Sequence, residues 1–392
     1  MQKWKTWLQH PLFLWVLFGL AAIAITLRNL FLPQGNLFAP GDHYTHYNNF
    51  IIFRNAFWHL LHGETLYFEY PAEQFDLFKY SPSFALLFAP FAALPVWLGL
   101  ALWNILNAWV LVLAIRKLPL LNYWQKAGFG LLLLQELITS TINSQCNALI
   151  VALLLLALAG LEKGKIWLPV ILIWLTVFIK IFGILFFAMV LLYPQRWKTI
   201  LPALLVFAAL LALPLPVTGL QGLSEQYAAY FHLLAGDHGQ FVKYSVMGWL
   251  QSWFHLQPPK NYIVVGGLLL QLLPLLFWRR FDYPFFRTLY AASWCIWLVI
   301  FNHMAESATF VIAVAGVLLW YFAQPIRKNW HILLLLPVIL FTCFGPSDLY
   351  PRALRHLIVE QWQLKVFPCI VVWCVCLWQV FRYNKSVTLQ GQ

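Results

Sequence analysis

Long apolar runs follow one another along almost the whole chain, separated by short polar breaks. A helix that crosses a bilayer needs ~20 mostly apolar residues. The runs predict spans over 12–32, 126–138, 147–161, 167–179, 181–193, 199–217, 261–278, 287–301, 307–323, 330–345 and 366–381. Residues 82–115 hold one long or broken crossing, or two. The short runs 167–179 and 181–193 read as a hairpin around Lys180. Residues 33–81 and 218–260 read as large loops. In the first loop Tyr47, Phe50, Ile51, Phe53 and Phe57 recur at helical spacing, which predicts an amphipathic helix on the membrane surface.

The polar breaks carry basic pairs: Lys3/Lys5, Arg116/Lys117, Lys163/Lys165, Arg196/Lys198, Arg279/Arg280, Arg327/Lys328 and Arg382/Lys385. This is the positive-inside signal. Placing every pair in the cytoplasm gives roughly twelve crossings (range about 10–13), with both termini inside. The acids are an independent check, because they weigh little in that rule. In this topology only Glu162 and Asp282 of the 13 acids lie inside. Polar chemistry therefore gathers at the outer ends.

Composition agrees. The 392 residues are 62% hydrophobic and 10% charged, with mean hydropathy +0.74, against about 25% charged in soluble domains. The expectation is a single all-α polytopic membrane domain over 1–392, with no soluble domain. The net charge of +12 does not imply nucleic acid, because the basic residues flank spans and form no patch. The N-terminus reads as a retained first span, since no small-residue cleavage site precedes Arg28. Most of the six cysteines lie inside apolar runs and suit packing better than disulfides.

Several residues could carry chemistry. Asp42 follows the first span closely and could be a helix cap, a solvated acid or a base. Lys180 sits in a run so apolar that its ammonium needs a partner or water nearby. It could snorkel at a hairpin tip or hold a phosphate. Lys79 and Tyr80 stand at the mouth of the next span. His303 and Glu306 lie one helical turn apart at an outer turn, suited to pairing, capping, sugar hydroxyls or phosphate. Glu136, Asn143, Gln145 and Asn147 surround another outer tip. The second loop carries Tyr227, Tyr230, Asp237, His238, Lys243 and Trp249, which suit carbohydrate or an interfacial belt.

The order of short motifs adds a resemblance. An aspartate just after the first span precedes H-G-E-T-L-Y (62–67), K-Y-S-P-S-F-A-L-L-F-A-P-F-A-A-L-P (79–95) and L-W-N-I-L-N (102–107). Then come N-S-Q-C-N-A-L-I (143–150), F-I-K-I-F-G (178–183) and N-H-M-A-E-S-A-T-F-V-I-A-V-A-G (302–316). Over about 40–365 the chain resembles glycosyltransferase family 87, membrane enzymes of the C-type fold. The resemblance implies a polyprenyl-phosphate-sugar donor, a glycan or glycolipid acceptor, and inverting transfer of a hexose, with mannose the hexose it points to. It makes Asp42 the general base. It suggests Lys180, Lys79 and His303 for the donor phosphate, and Glu306, Asn143, Gln145, Tyr80, Asp237 and His238 for substrate. Many C-type relatives pair two acids around a cation. Here Asp42-His43-Tyr44 offers no second acid, so no metal and no other cofactor is expected. His43 and His46 suit loop contacts better than ligation.

The donor logic is also physical. Nucleotide sugars are confined to the cytoplasm, and no G-x-G-x-x-G loop is present to bind one. The expected place is a cell membrane of the bacterial inner-membrane kind, with the site on the extracytoplasmic face. The rival reading is a transporter or flippase, which would show related halves and midplane charges. A non-catalytic scaffold fits poorly with acids sorted to one face.

Overall fold

The structure is a computed structural model that describes residues 10–32, 44–236, 242 and 244–382. These residues fold into helices, with no strand among them. Phe13–Phe31 and Val96–Lys117 are each long and apolar enough to cross a membrane. Shorter apolar helices of 10–17 residues include Asn147–Glu162, Trp167–Ile179, Ile181–Leu192, Pro284–Ile300 and Phe367–Arg382. The chain is thus a helical membrane protein.

Side-chain contacts sort the helix ends into two layers. At one, the Arg116 guanidinium donates to the Pro11 carbonyl, and the Tyr123 hydroxyl donates to the His10 carbonyl at 2.9 Å. At the other, the Asn29 amide donates to the Ile142 carbonyl at 2.9 Å. Phe13–Phe31 therefore runs parallel to Tyr123–Ile142 and antiparallel to Val96–Lys117, against which Asn104 bonds Thr26 at 2.9 Å. The first layer holds the basic ends. There Arg287 grips Glu162 through two bonds of 2.7 and 2.6 Å, with the Tyr193 hydroxyl at 2.7 Å from the same carboxylate. This is bidentate pairing, the strong form of a charged hydrogen bond.

Residues 82–115 resolve into one spanning helix with a folded lead-in. Pro90 and Pro95 break the lead-in into Pro82–Leu87 and Ala89–Ala92. A Cβ on Gly99 would stand 2.4 Å from the Phe91 carbonyl oxygen, so the lead-in lies directly on the start of the span. The hairpin at Lys180 forms as its spacing suggests, from Trp167–Ile179 and the 3₁₀ helix Ile181–Leu192. Helix Leu215–Gly236 turns by 91° from Pro194–Leu211.

Two expectations change. The amphipathic helix exists as Asn48–His62, but its apolar face is covered by protein. Phe50, Phe53 and Phe57 are buried, and Phe53 packs edge-on against Tyr80, Phe84, Phe88 and Trp103. Aromatic edges meeting aromatic faces gain more than lipid contact offers. Glu136 is not at an outer tip. It lies more than a helical turn below Ile142, fully buried and 3.4 Å from the ammonium of Lys365.

Candidate active site

The hairpin tip is built by local sequence. The backbone N–H of Lys180 closes the preceding helix onto the Thr176 carbonyl at 2.7 Å, and Lys180 itself is extended, at φ −137° and ψ 121°. A Cβ at Gly183 would lie 2.3 Å from Thr176 Oγ1, so this tight reversal requires glycine. The tip presents the ammonium of Lys180 to the start of Asn147–Glu162, where Asn147 Oδ1 accepts it at 2.9 Å.

From there a relay of amides runs to a carboxylate. Asn147 Nδ2 donates to Gln145 Oε1 at 2.5 Å and to the Ala308 carbonyl at 3.1 Å. Gln145 Nε2 donates to Glu306 Oε2 at 3.0 Å. The two charges at its ends fix both amide orientations, and the aligned dipoles reinforce one another. Among the described residues no carboxylate lies within ion-pair distance of Lys180 itself. Its charge is held by a neutral oxygen and faces a cavity.

K-Y-S-P-S forms the neighbouring wall. Ser81 caps Pro82–Leu87, accepting from the Phe84 N–H at 3.2 Å, and donates to the Phe178 carbonyl at 2.5 Å. That bond ties the motif to the hairpin. Ser83 reaches the Leu210 carbonyl at 2.5 Å and the Tyr227 hydroxyl at 2.8 Å. The serines are thus structural, and they aim Lys79 and Tyr80 at the cavity. The Lys180 ammonium lies 5.9 Å from the Tyr80 ring centre. Burial first, and then the Cys146 thiol beside it, push the Tyr80 hydroxyl well above its ordinary range, so it remains a neutral phenol.

The cavity encloses about 520 Å³, within the range of small-ligand sites. Three lysines face it: Lys79, Lys180 and Lys260. Asp76, 3.8 Å from the Lys79 ammonium, and Glu306 supply the acids. Trp297, Phe301 and His303 also line it. Ile181, Phe182, Leu185 and Val264 line it too, so much of the wall is apolar. The cavity thus sets a fixed cation among amides and apolar side chains.

The sequence profile of glycosyltransferase family 87 matches residues 78–343, more than half of the chain. The chain belongs to glycosyltransferase family 87. It is therefore a membrane glycosyltransferase, which takes a sugar donor and an acceptor. No curated protein matches the chain. The family's span contains K-Y-S-P-S, F-I-K-I-F-G and the 302–316 motif, which meet at the cavity. It begins at residue 78, near the end of the 33–81 loop, so it does not reach Asp42.

Of the site residues expected from sequence, Lys79, Tyr80, Gln145, Lys180, His303 and Glu306 line this cavity. Asn143 does not. It lines an adjoining chamber, with its amide turned back to the Thr139 carbonyl at 2.8 Å. Asp42, Asp237 and His238 lie outside the described residues. Lys260 and Trp297 also line the cavity, outside the expected set. Lys260 carried a usable signal: like Lys79 and Lys180, it is a lysine at the acidic end of a chain whose other basic residues mostly mark the opposite end.

Proposed function

We propose that the chain transfers a hexose, mannose by resemblance, from a polyprenyl-phosphate donor to a hydroxyl of an extracytoplasmic glycan or lipid, with inversion. The architecture on this reading is the C-type fold, with roughly twelve crossings and both termini cytoplasmic. The observation that carries the reading is the amide-held ammonium of Lys180 facing a partly apolar cavity. Lys180, with Lys79 and His303, contacts the donor phosphate. Tyr80, Gln145, Glu306, Asp237 and His238 contact sugar.

Asp42 removes the proton of the acceptor hydroxyl, whose oxygen attacks the anomeric carbon. The bond from that carbon to the phosphate oxygen breaks, and polyprenyl phosphate leaves with the electron pair. The donor is a phosphodiester with one negative charge, whereas the departing monoester carries nearly two. A cation at the phosphate is therefore worth more in the transition state than in the ground state. Low dielectric strengthens the effect.

Purified protein given labelled polyprenyl-phosphate sugars and a panel of glycan acceptors tests the reading. Wild-type protein transfers label. Lys180→Ala lowers kcat/KM for donor roughly 10- to 100-fold, the worth of a charged hydrogen bond of about 1.5–3 kcal/mol. Lys180→Arg keeps part of it. Normal turnover by Lys180→Ala at limiting donor would sink the phosphate role.

Two further outcomes follow. Transfer survives EDTA, because Asp42-His43 lacks the paired acids that hold a cation; loss on chelation, restored by Mg²⁺ or Mn²⁺, would show otherwise. Single cysteines in 33–81, 218–260 and 346–365 react with an impermeant maleimide in intact cells, while those at 163–165 and 279–282 react only after permeabilisation. Outside labelling at 163–165 would invert the topology.

A further inference from the structure

Lys180 and Lys365 both sit in apolar helical surroundings, and they are held differently. Lys365 is fully buried with a carboxylate beside it, Glu136 at 3.4 Å. That is the ordinary arrangement, since an ionised group inside a membrane protein pairs with an opposite charge or with backbone carbonyls. Lys79, in the same cavity as Lys180, has Asp76 at 3.8 Å. Lys180 has instead the side-chain oxygen of Asn147, at 2.9 Å. Its partner is a dipole, which directs the ammonium without cancelling its charge.

Asn147 opens the helix Asn147–Glu162 and is fully buried. A side-chain amide can turn either its oxygen or its NH₂ to a neighbour. At Asn147 the choice is fixed. Its Nδ2 carries two hydrogens, and two acceptors take them, Gln145 Oε1 at 2.5 Å and the Ala308 carbonyl at 3.1 Å. Only Oδ1 is left for Lys180. Gln145 is fixed in turn, because its Nε2 donates to Glu306 Oε2 at 3.0 Å. Glu306 is itself held at its own turn. Its carboxylate accepts from the Thr309 backbone N–H, and Thr309 Oγ1 accepts from the Glu306 N–H at 3.4 Å. The relay is thus anchored at residues 306–309, the turn that also carries the Ala308 carbonyl. Reversing Asn147 would set its NH₂ against an ammonium and its oxygen against two oxygens.

We propose that Asn147 is a positioning residue, which aims the Lys180 ammonium at the donor phosphate and, being neutral, leaves its charge available. The proposal rests on the phosphate role of Lys180 given above and extends it to the residue behind the lysine. A carboxylate at position 147 would hold the ammonium as firmly, but it would compete with the phosphate for the same hydrogens and charge. An amide oxygen gives direction without that competition. Direction matters because a cation already aimed where charge develops needs no reorganisation at the moment of reaction. A lysine side chain free to turn would have to be ordered each time the donor binds, at a cost in rotamer entropy.

The transfer assay with labelled polyprenyl-phosphate sugars reads this on full-length protein. Asn147→Asp keeps nearly the shape of asparagine and adds the competing charge. It lowers kcat/KM for donor to within a few-fold of Lys180→Ala and leaves acceptor KM unchanged. Asn147→Ser removes the amide without adding charge, and its loss is smaller. That order marks a charge effect, since a packing role would make the near-isosteric aspartate the milder change. In a Lys180→Ala background Asn147→Ser costs no further donor kcat/KM, because a residue that acts through Lys180 then has nothing to position. The serine pair decides the matter even if Asn147→Asp does not fold. Three results would overturn the proposal: wild-type donor use by Asn147→Asp while Lys180→Ala is impaired, an aspartate milder than serine, or serine and alanine losses that multiply in the double variant. Normal turnover by Lys180→Ala would be a different failure, removing the phosphate role and the positioning role with it.

Discussion

Asp42→Asn lowers turnover by roughly 10²–10⁴-fold, the usual contribution of a general base, while the protein still inserts, purifies and binds donor lipid. The substitution keeps shape and removes basicity. Asp42 follows the first span by a short stretch of sequence, at the place where the family resemblance puts its base. The described chain resumes at Tyr44, whose ring packs edge-on against Phe75, beside the cavity-lining Asp76. The competing role is a helix cap, and asparagine caps about as well as aspartate. On that account the variant is nearly silent. A base, in contrast, loses kcat and kcat/KM together, because its interaction is made in the transition state. Near-wild-type transfer would end the base assignment. Glu306 would then be the first carboxylate to test, since it faces both chambers.

How much was legible follows from the range of each interaction. Apolar runs are local, so the spans could be read: 147–161 became Asn147–Glu162, and 366–381 became Phe367–Arg382. Lys180 could be read because one ammonium in F-I-K-I-F-G needs an explanation whatever surrounds it. The partner that explains it was less legible. Asn147 looks like any turn amide until the hairpin tip is laid against it. The stripe of Phe50, Phe53 and Phe57 gave the helix but not its neighbour, since lipid and a cluster of aromatic rings select the same residues. Lys260 was hidden by its position at the end of a long loop, with no motif around it. The adjoining chamber assembles Asn143, Glu306 and Gln363 from three distant segments, and no local pattern announces that.

Lys365→Met destabilises the protein by about 3–5 kcal/mol, as breaking one side of a buried ion pair does. Lys365 and Glu136 are 229 residues apart in sequence and both fully buried. The ammonium donates to the Thr342 carbonyl at 2.8 Å and lies 4.6 Å from the centre of the Phe310 ring, while Thr342 Oγ1 donates back to the Lys365 carbonyl at 2.8 Å. Glu136 Oε1 is 3.4 Å away, and Glu136 Oε2 has no hydrogen-bond partner. Removing the ammonium leaves a carboxylate with no compensation in apolar surroundings, which is costlier than having neither charge. Lys365→Met combined with Glu136→Leu therefore recovers most of the loss, a coupling that a double-mutant cycle on melting in detergent measures. The pair also lies close to the adjoining chamber in sequence. Lys365 follows Gln363 by two residues, so it anchors the segment that lines the adjoining chamber. If the double variant melts no higher than Lys365→Met alone, the ion pair is not what holds that segment in place.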